Sequence, residues 1–429
     1  MYDVHPTDDG ALLVGQVITR DASHGWLAAV DDAGRRQWER VFDDGAGFRA
    51  VEPAMDDRGG EPGSEASGAL VCGSTNVVDA PEAGARNGDP YCARVDSEGT
   101  AEWRLTYQTD RSFGGTYGGP DDDGEIGGSG RLQDVTSTGD GYVIAGHLSE
   151  DDEDGGIPAA MGLDEHGDVE WRWRHPDEER GTVWSLTPAG DDVVAAGSPR
   201  SDAREGESPW VARLDGDGET AWYEPIPDGT ELEESASLAT VSGRDGTLLV
   251  AGTRERGGVA LVGVDGTDGT ERWRSTVDVD GATHVEDVVA TDDGYVLAGT
   301  RETEDGREAW LHSIGADGDS RWSEAVGEGR RTRGHVLAVA DDGGLLVGGE
   351  TTDDSTLAWL AKLGGDEPED GSGWGLETPS LPGWTTTFAV GVGVGAGLVG
   401  AASRLRRGRP TSTDAAARSS EPSASRADE

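Results

Sequence analysis

Short apolar runs punctuated by turn residues recur down this 429-residue chain. One kind ends in Gly: DGALLVG at Gly15, SGALVCG at Gly73, DGYVIAG at Gly146 and DDVVAAG at Gly197. It continues as DGTLLVAG at Gly252, DGYVLAG at Gly299 and GGLLVGG at Gly349. Four or five apolar residues between turn formers read as a buried strand rather than a helix. A second kind ends in Asp and turns into Trp: AAVDDAGRRQW at Trp38, ARVDSEGTAEW at Trp103 and MGLDEHGDVEW at Trp171. It returns as ARLDGDGETAW at Trp222, VGVDGTDGTERW at Trp273 and HSIGADGDSRW at Trp322. A weaker strand precedes each Gly-ended run, as in LQDVTS from Leu132 and VEDVVA from Val285. The later copies lie about 50 residues apart, the repeat length of a four-stranded propeller blade. The pattern therefore predicts an all-β chain. Residues 1–365 form a seven-bladed β-propeller of four-stranded blades, with the Trp strand outermost in each.

Aromatics sit at fixed places in this frame. Trp26 and Trp38, Tyr91 and Trp103, Trp210 and Trp222, and Trp310 and Trp322 are each twelve positions apart, one in a third strand and one in a fourth. With Trp171, Trp273 and Trp359 they are expected to fill the gaps between blades, each burying roughly 150–250 Å². In the turn between them, Asp accepts backbone N–H bonds and Gly supplies a positive φ. These rings read as structure, not as a cofactor box.

At these residues the chain resembles the tryptophan-docking repeat of pyrroloquinoline-quinone-type propellers, whose pattern is A-x-D-x-x-T-G-K-x-x-W. The likeness spans roughly residues 1–365. Most copies have one residue fewer between Asp and Gly, and only the copy of Asp265, Thr267, Gly269 and Trp273 keeps the family's Asp-to-Trp spacing. Quinoprotein dehydrogenases of that family carry a calcium site, an acidic base and a vicinal disulfide; Cys72 and Cys92 are not adjacent. The variant D-G-G-Y-h-h-A-G … W-L-x-x-h-D-x-x-G-x-x-x-W is similar to repeat proteins of archaeal cell surfaces, and this is the preferred match.

Charge narrows the setting. The net charge is −50, from 85 acidic and 35 basic residues, and Lys362 is the one lysine. Such a surface stays hydrated and repels its own copies, and it lacks the basic footprint that nucleic acid requires. Arginine-for-lysine usage with this acidity resembles proteins of salt-loving archaea. Cys72 and Cys92 fall on strands expected to be neighbours, so they read either as a cross-strand disulfide or as two small apolar core residues.

Candidate chemistry is sparse. Asp3, Asp134 and Asp287 hold matching inner-strand positions and are expected to ring one end of the central channel, as a solvated wall or, more weakly, a cation site. PDDDGEIGG from Pro120 and EDDEDGG from Glu150 do not match a calcium loop. His147, His284 and His335 lie near strand ends and read as surface or satisfied histidines. With no catalytic set, no catalysis and no cofactor are expected; the alternative is a quinoprotein dehydrogenase using calcium or pyrroloquinoline quinone.

The C-terminal part changes character. Residues 366–382 form an acidic Gly/Pro linker, and residues 383–403, from Gly383 and Trp384 to Ser403, carry no charge. That length crosses roughly 30 Å of hydrocarbon as a helix. Gly391 and Gly395 set a small-xxx-small spacing. Arg404, Arg406, Arg407 and Arg409 come next, and the positive-inside rule places them in the cytoplasm with the propeller outside. Residues 404–429 read as a polar disordered cytoplasmic tail. Pro382-Gly383-Trp384, with the apolar stretch and arginines after it, resembles the archaeal P-G-F sorting signal, with Trp for Phe and an extra tail. The resemblance implies cleavage and a lipid anchor.

Blade 7 lacks a good Trp strand, and Met1 falls where the inner strand of blade 1 begins. One reading puts a signal peptide and a closing strand upstream of Met1. The other makes Ser372-Gly373-Trp374 a degenerate fourth strand and anchors the protein by its tail, propeller in the cytoplasm. The expected role is a membrane-anchored, surface-displayed binding scaffold whose loops meet an unidentified protein or glycan. The alternative is a structural surface component without a soluble ligand.

Overall fold

The computed structural model describes residues 1–18, 23–42, 46–55, 68–75, 88–107, 129–139, 141–149, 156–177, 180–200, 208–226, 232, 238–243, 245–254, 257–279, 283–304, 306–326, 331–352 and 356–364. They form a seven-bladed β-propeller. Blade 1 consists of Asp3–Thr7, Gly10–Ile18, Ser23–Asp31 and Arg36–Phe42, hydrogen-bonded in that order, and the next five blades repeat the meander. Blade 7 has three described strands, Thr332–Val339, Leu345–Thr352 and Thr356–Leu363. All pairs within blades are antiparallel. The inner strands Asp3–Thr7, Ala46–Pro53, Ser129–Ser137, Gly181–Ala189, Leu238–Ser242, Thr283–Thr291 and Thr332–Val339 neighbour one another in turn, and the last meets the first. The ring is closed around a central channel.

Each buried strand is apolar on both faces because both faces are covered by other blades. Val14 of blade 1 packs with Phe48, Val71 and Tyr91 of blade 2, while its neighbour Leu13 packs on the side of Val347 and Leu360 of blade 7. The core is thus a series of layers between blades, and the layer joining blades 6, 7 and 1 closes the circle. Cys72 and Cys92 are cross-strand partners with Cα atoms 4.2 Å apart, and they form a disulfide inside the layer between blades 2 and 3.

The Asp turns are held by their own side chains. Asp31 Oδ1 accepts the N–H groups of Ala33 at 3.0 Å and Arg35 at 2.8 Å, and Asp96, Asp164 and Asp215 repeat the arrangement. The fourth-strand tryptophans then lie on the turn of the following blade: Trp38 on Gly99, Trp103 on Gly167, Trp171 on Gly218, Trp222 on Gly269 and Trp273 on Gly318. Among the third-strand aromatics, Trp26, Trp210 and Trp310 are fully buried, and Trp359 is buried in blade 7.

No helix among the described residues is long and apolar enough to cross a membrane. The segment 383–403, with Gly383, Trp384, Gly391, Gly395 and Ser403, lies outside the described residues, as do the linker, the tail and Trp374. Both acidic stretches, 120–128 and 150–155, do too.

Gly218 has φ +77°, and a Cβ there would sit 2.4 Å from the Trp171 ring. Gly343 has nearly the same φ, +75°, with nothing within 4 Å. Gly343→Ala is expected to cost about 1–2 kcal/mol for the left-handed backbone alone. Gly218→Ala adds about 1–3 kcal/mol of overpacking. Equal losses in denaturant unfolding would show that the Trp contact carries no weight.

Candidate functional site at the channel mouth

The first strand of every blade runs inward-most and in the same sense, so the N-terminal ends of all seven share one face of the ring. There the ladder between inner and second strand slips by one residue in five blades. Arg49, Gln133, Trp184, Glu286 and His335 are the residues passed over. In blade 1, the Tyr2 N–H bonds the Val14 carbonyl at 2.9 Å while Asp3 is also the register partner of Val14. A bulge of this kind re-aims a side chain. Here the same device acts in blade after blade at one depth.

The re-aimed side chains meet across blades. The Arg49 guanidinium stands 4.3 Å from the Tyr2 ring centre, and the His335 ring lies edge-on to Tyr2 at 6.2 Å. The Tyr2 hydroxyl accepts a hydrogen bond from Gln16 Nε2 at 2.7 Å. Trp184 Nε1 donates to Ser198 Oγ at 2.8 Å. Glu286 of blade 6 lies within the field of His335, His284, Arg333 and Arg49; burial nevertheless wins and raises its carboxyl above the ordinary value. His335 holds the Glu350 carboxyl below its ordinary value by a polar contact at 3.8 Å. His147 belongs to the same face, where it bonds Thr182 Oγ1 at 3.0 Å; burial beside Arg131 and Arg200 lowers it to about 4. The mouth therefore combines guanidinium donors, carboxylate acceptors and flat aromatic faces.

Beneath the mouth the wall is acidic. Asp3, Asp134 and Asp287 belong to it. They stand beside the bulges in blades 1, 3 and 6 and clasp the following blade. One oxygen of each accepts the next residue's N–H at 2.7–2.8 Å. The other accepts an N–H of the neighbouring inner strand: Val51 at 2.8 Å, Leu186 at 2.7 Å and Leu337 at 2.7 Å, respectively. Ser185 does the same for Thr240 with its hydroxyl, at 3.3 Å. Glu52 lies among them, with Ser137 Oγ donating to it at 3.3 Å. Burial raises Asp3 to about 6 and Asp134 to about 7, and holds Asp287 well above its ordinary value. Burial, and then the charges of Asp3 and Asp134, push Glu52 up to about 8.

Both oxygens of each aspartate in this layer accept a backbone N–H. Among the described residues, the one set of three potential ligands within 4.8 Å of each other is Asp164, Glu165 and His166. It belongs to an Asp turn of blade 3, away from the mouth, and Asp164 Oδ1 there serves the turn's own N–H groups. Among the described residues no other three such side chains come within that distance.

Sequence reasoning passed over Tyr2, Arg49, Glu52, Trp184 and Glu286. Their one signal was a polar or aromatic residue interrupting an inner strand, as Arg49 does in FRAVEP. It carries little weight until the bulges show that these interruptions share one depth.

No family model and no curated protein matches this sequence. Solved structures do. A quinohemoprotein alcohol dehydrogenase from Comamonas testosteroni is 13% identical, with a TM-score of 0.45, covering 78% of this chain and 62% of its own. Another, from Pseudomonas putida HK5, is 12% identical with a TM-score of 0.41, covering 80% of this chain and 62% of that one. The Pan2 WD40 domain of Neurospora crassa is 13% identical with a TM-score of 0.40, covering 68% and 74%. The chain thus spans less than two thirds of either dehydrogenase. At this identity the likeness is one of fold. Against the expectation of no catalysis, the similar structures include enzymes.

The raised acids set the sign of a pH effect. Folded Asp3, Asp134 and Glu52 hold protons up to about 6, 7 and 8, against ordinary values of 3.8, 3.8 and 4.5. Their contribution to stability is complete below the ordinary values and is lost as pH rises through the folded ones. The thermal midpoint is expected to fall between pH 5 and 8 at constant high salt. Glu52→Gln, a neutral stand-in for the protonated acid, should flatten the upper part of that fall. A midpoint rising across the window would reverse the assignment.

Proposed function

We propose that this propeller is a binding protein whose site is the channel mouth, and that its ligand is a sugar chain. The observation that supports the reading is the stacking of Arg49 from blade 2 on Tyr2 from blade 1, within reach of His335 and Glu286. Four blades contribute to one aperture. A guanidinium has five donors and a carboxylate only acceptors, so Arg49 and Glu286 together suit hydroxyl groups that donate and accept. The Tyr2 ring, flanked by Arg49 and His335, adds apolar surface for a sugar ring. A rigid scaffold with its polar groups converging on a concavity is the usual setting of a ligand site.

The proposal also places the propeller outside a membrane, in a salt-rich setting. The charge-free segment 383–403 and the arginines from Arg404 onward support it. Expression of the full chain should put it in the membrane fraction, and truncation after residue 380 should release it. Recovery of both forms as soluble protein would remove the anchor from the proposal.

The mouth is tested by titrating the purified propeller with a glycan panel under tryptophan fluorescence. A glycan that binds should lose at least tenfold in affinity on Arg49→Ala and on Tyr2→Ala, with the thermal midpoint of each variant unchanged. Binding that survives both substitutions would move the site elsewhere. Oxidation of an alcohol or sugar after addition of pyrroloquinoline quinone and calcium would replace binding with dehydrogenase chemistry.

A further inference from the structure

A second concavity lies on the same face, between the outer parts of blades 6 and 7. It is a cleft of about 630 Å³, and three arginines line it: Arg307 from the hairpin of blade 6, and Arg331 and Arg333 from the start of the inner strand of blade 7. The acids beside them are Glu302 and Glu350. Arg307 approaches Glu302 only to 3.6 Å and Arg333 approaches Glu350 only to 3.5 Å, both outside the geometry of a good charged hydrogen bond. Arg331 has no ion pair among the described residues. Its backbone is pinned, since its carbonyl accepts the Thr352 N–H at 2.9 Å, and its side chain is exposed.

We propose that this cleft binds a tetrahedral oxyanion, a phosphate or sulfate group. Three guanidiniums carry fifteen N–H donors between them at five each, and among the described residues the two loosely held carboxylates are their only ion-pair partners in the cleft. Planar guanidinium forks suit the oxygens of phosphate and sulfate two at a time. The setting sharpens the inference. In a chain of net charge −50, arginines outnumber acids three to two among the described residues that line this cleft. A cleft concentrates such a field, whereas the same charges on a convex surface are lost to solvent. Glu350 lies 3.8 Å from His335, so the cleft adjoins the mouth, but Arg307 and Arg331 belong to the cleft alone.

The test is calorimetric titration of the folded propeller with inorganic phosphate, inorganic sulfate and acetate at constant ionic strength, pH 7.5. Phosphate or sulfate should bind and acetate, a planar monoanion, should bind at least tenfold more weakly. Preference between phosphate and sulfate identifies which group the natural ligand carries. Arg331→Ala should weaken the preferred anion at least tenfold, Arg331→Lys should restore only part of that, and Arg49→Ala at the mouth should leave it unchanged. Arg331 is exposed, so all variants are expected to keep the parent's thermal midpoint. No heat with either tetrahedral anion, acetate binding equally well, or undiminished binding in Arg331→Ala would each overturn the proposal. Loss on Arg49→Ala instead would show that the anion sits at the mouth.

Discussion

One contact, repeated round the ring, carries this architecture: the outer-strand tryptophan of a blade lies against the left-handed glycine of the next blade's turn. Each side constrains the other. The turn needs Gly for its positive φ, and the absence of a Cβ makes the flat seat on which an indole fits. The Asp that opens the turn fixes its shape by accepting the turn's own N–H groups. Local backbone chemistry and inter-blade packing are therefore one feature. The core follows from it as a succession of layers between neighbours, and stability is spread blade by blade as in other repeat architectures.

Closure of such a ring imposes a second demand at its centre. Seven inner strands are brought side by side without sheet hydrogen bonds between them, so their edge N–H groups need other acceptors. Asp3, Asp134, Asp287 and Ser185 meet part of that demand, each reaching from its own blade to the backbone of the next. Burying these carboxylates together makes the wall proton-retentive, and Glu52, which joins a layer that is already acidic, is pushed up to about 8. The price of the clasp is a channel whose charge depends on pH near neutrality.

The bulges that accompany the clasps give the mouth its character. They bring Tyr2, Arg49, Glu286 and His335 to one aperture, where cationic and aromatic groups stand above an acidic wall. Just outside it, the cleft between blades 6 and 7 sets three arginines beside two acids on a strongly acidic molecule. The connections 108–128 and 150–155 join strands whose described ends lie at this same face. A rigid ring with varied connections on one side is the arrangement in which a propeller carries its function, catalytic or not.

The repeat, the number of blades, the order of strands and the docking aromatics were legible in the sequence, because they are periodic and local. Asp, Gly and Trp recur at fixed spacing, and each has a short-range reason to be there. Cys72 and Cys92 were legible as neighbours for the same reason, although only the register, which sets them directly opposite, decided that they are bonded. Asp3, Asp134 and Asp287 could be picked out by position, but their hydrogen bonds to the next blade could not. Whether an acid lines a channel or caps a backbone depends on the blade beside it, which lies about 50 residues further along the chain. Arg49, Tyr2 and Glu286 were invisible as a group, being members of different blades with no shared motif. Only ring closure gives them one aperture, because convergence around an axis is a property of the assembled repeats and of no single one.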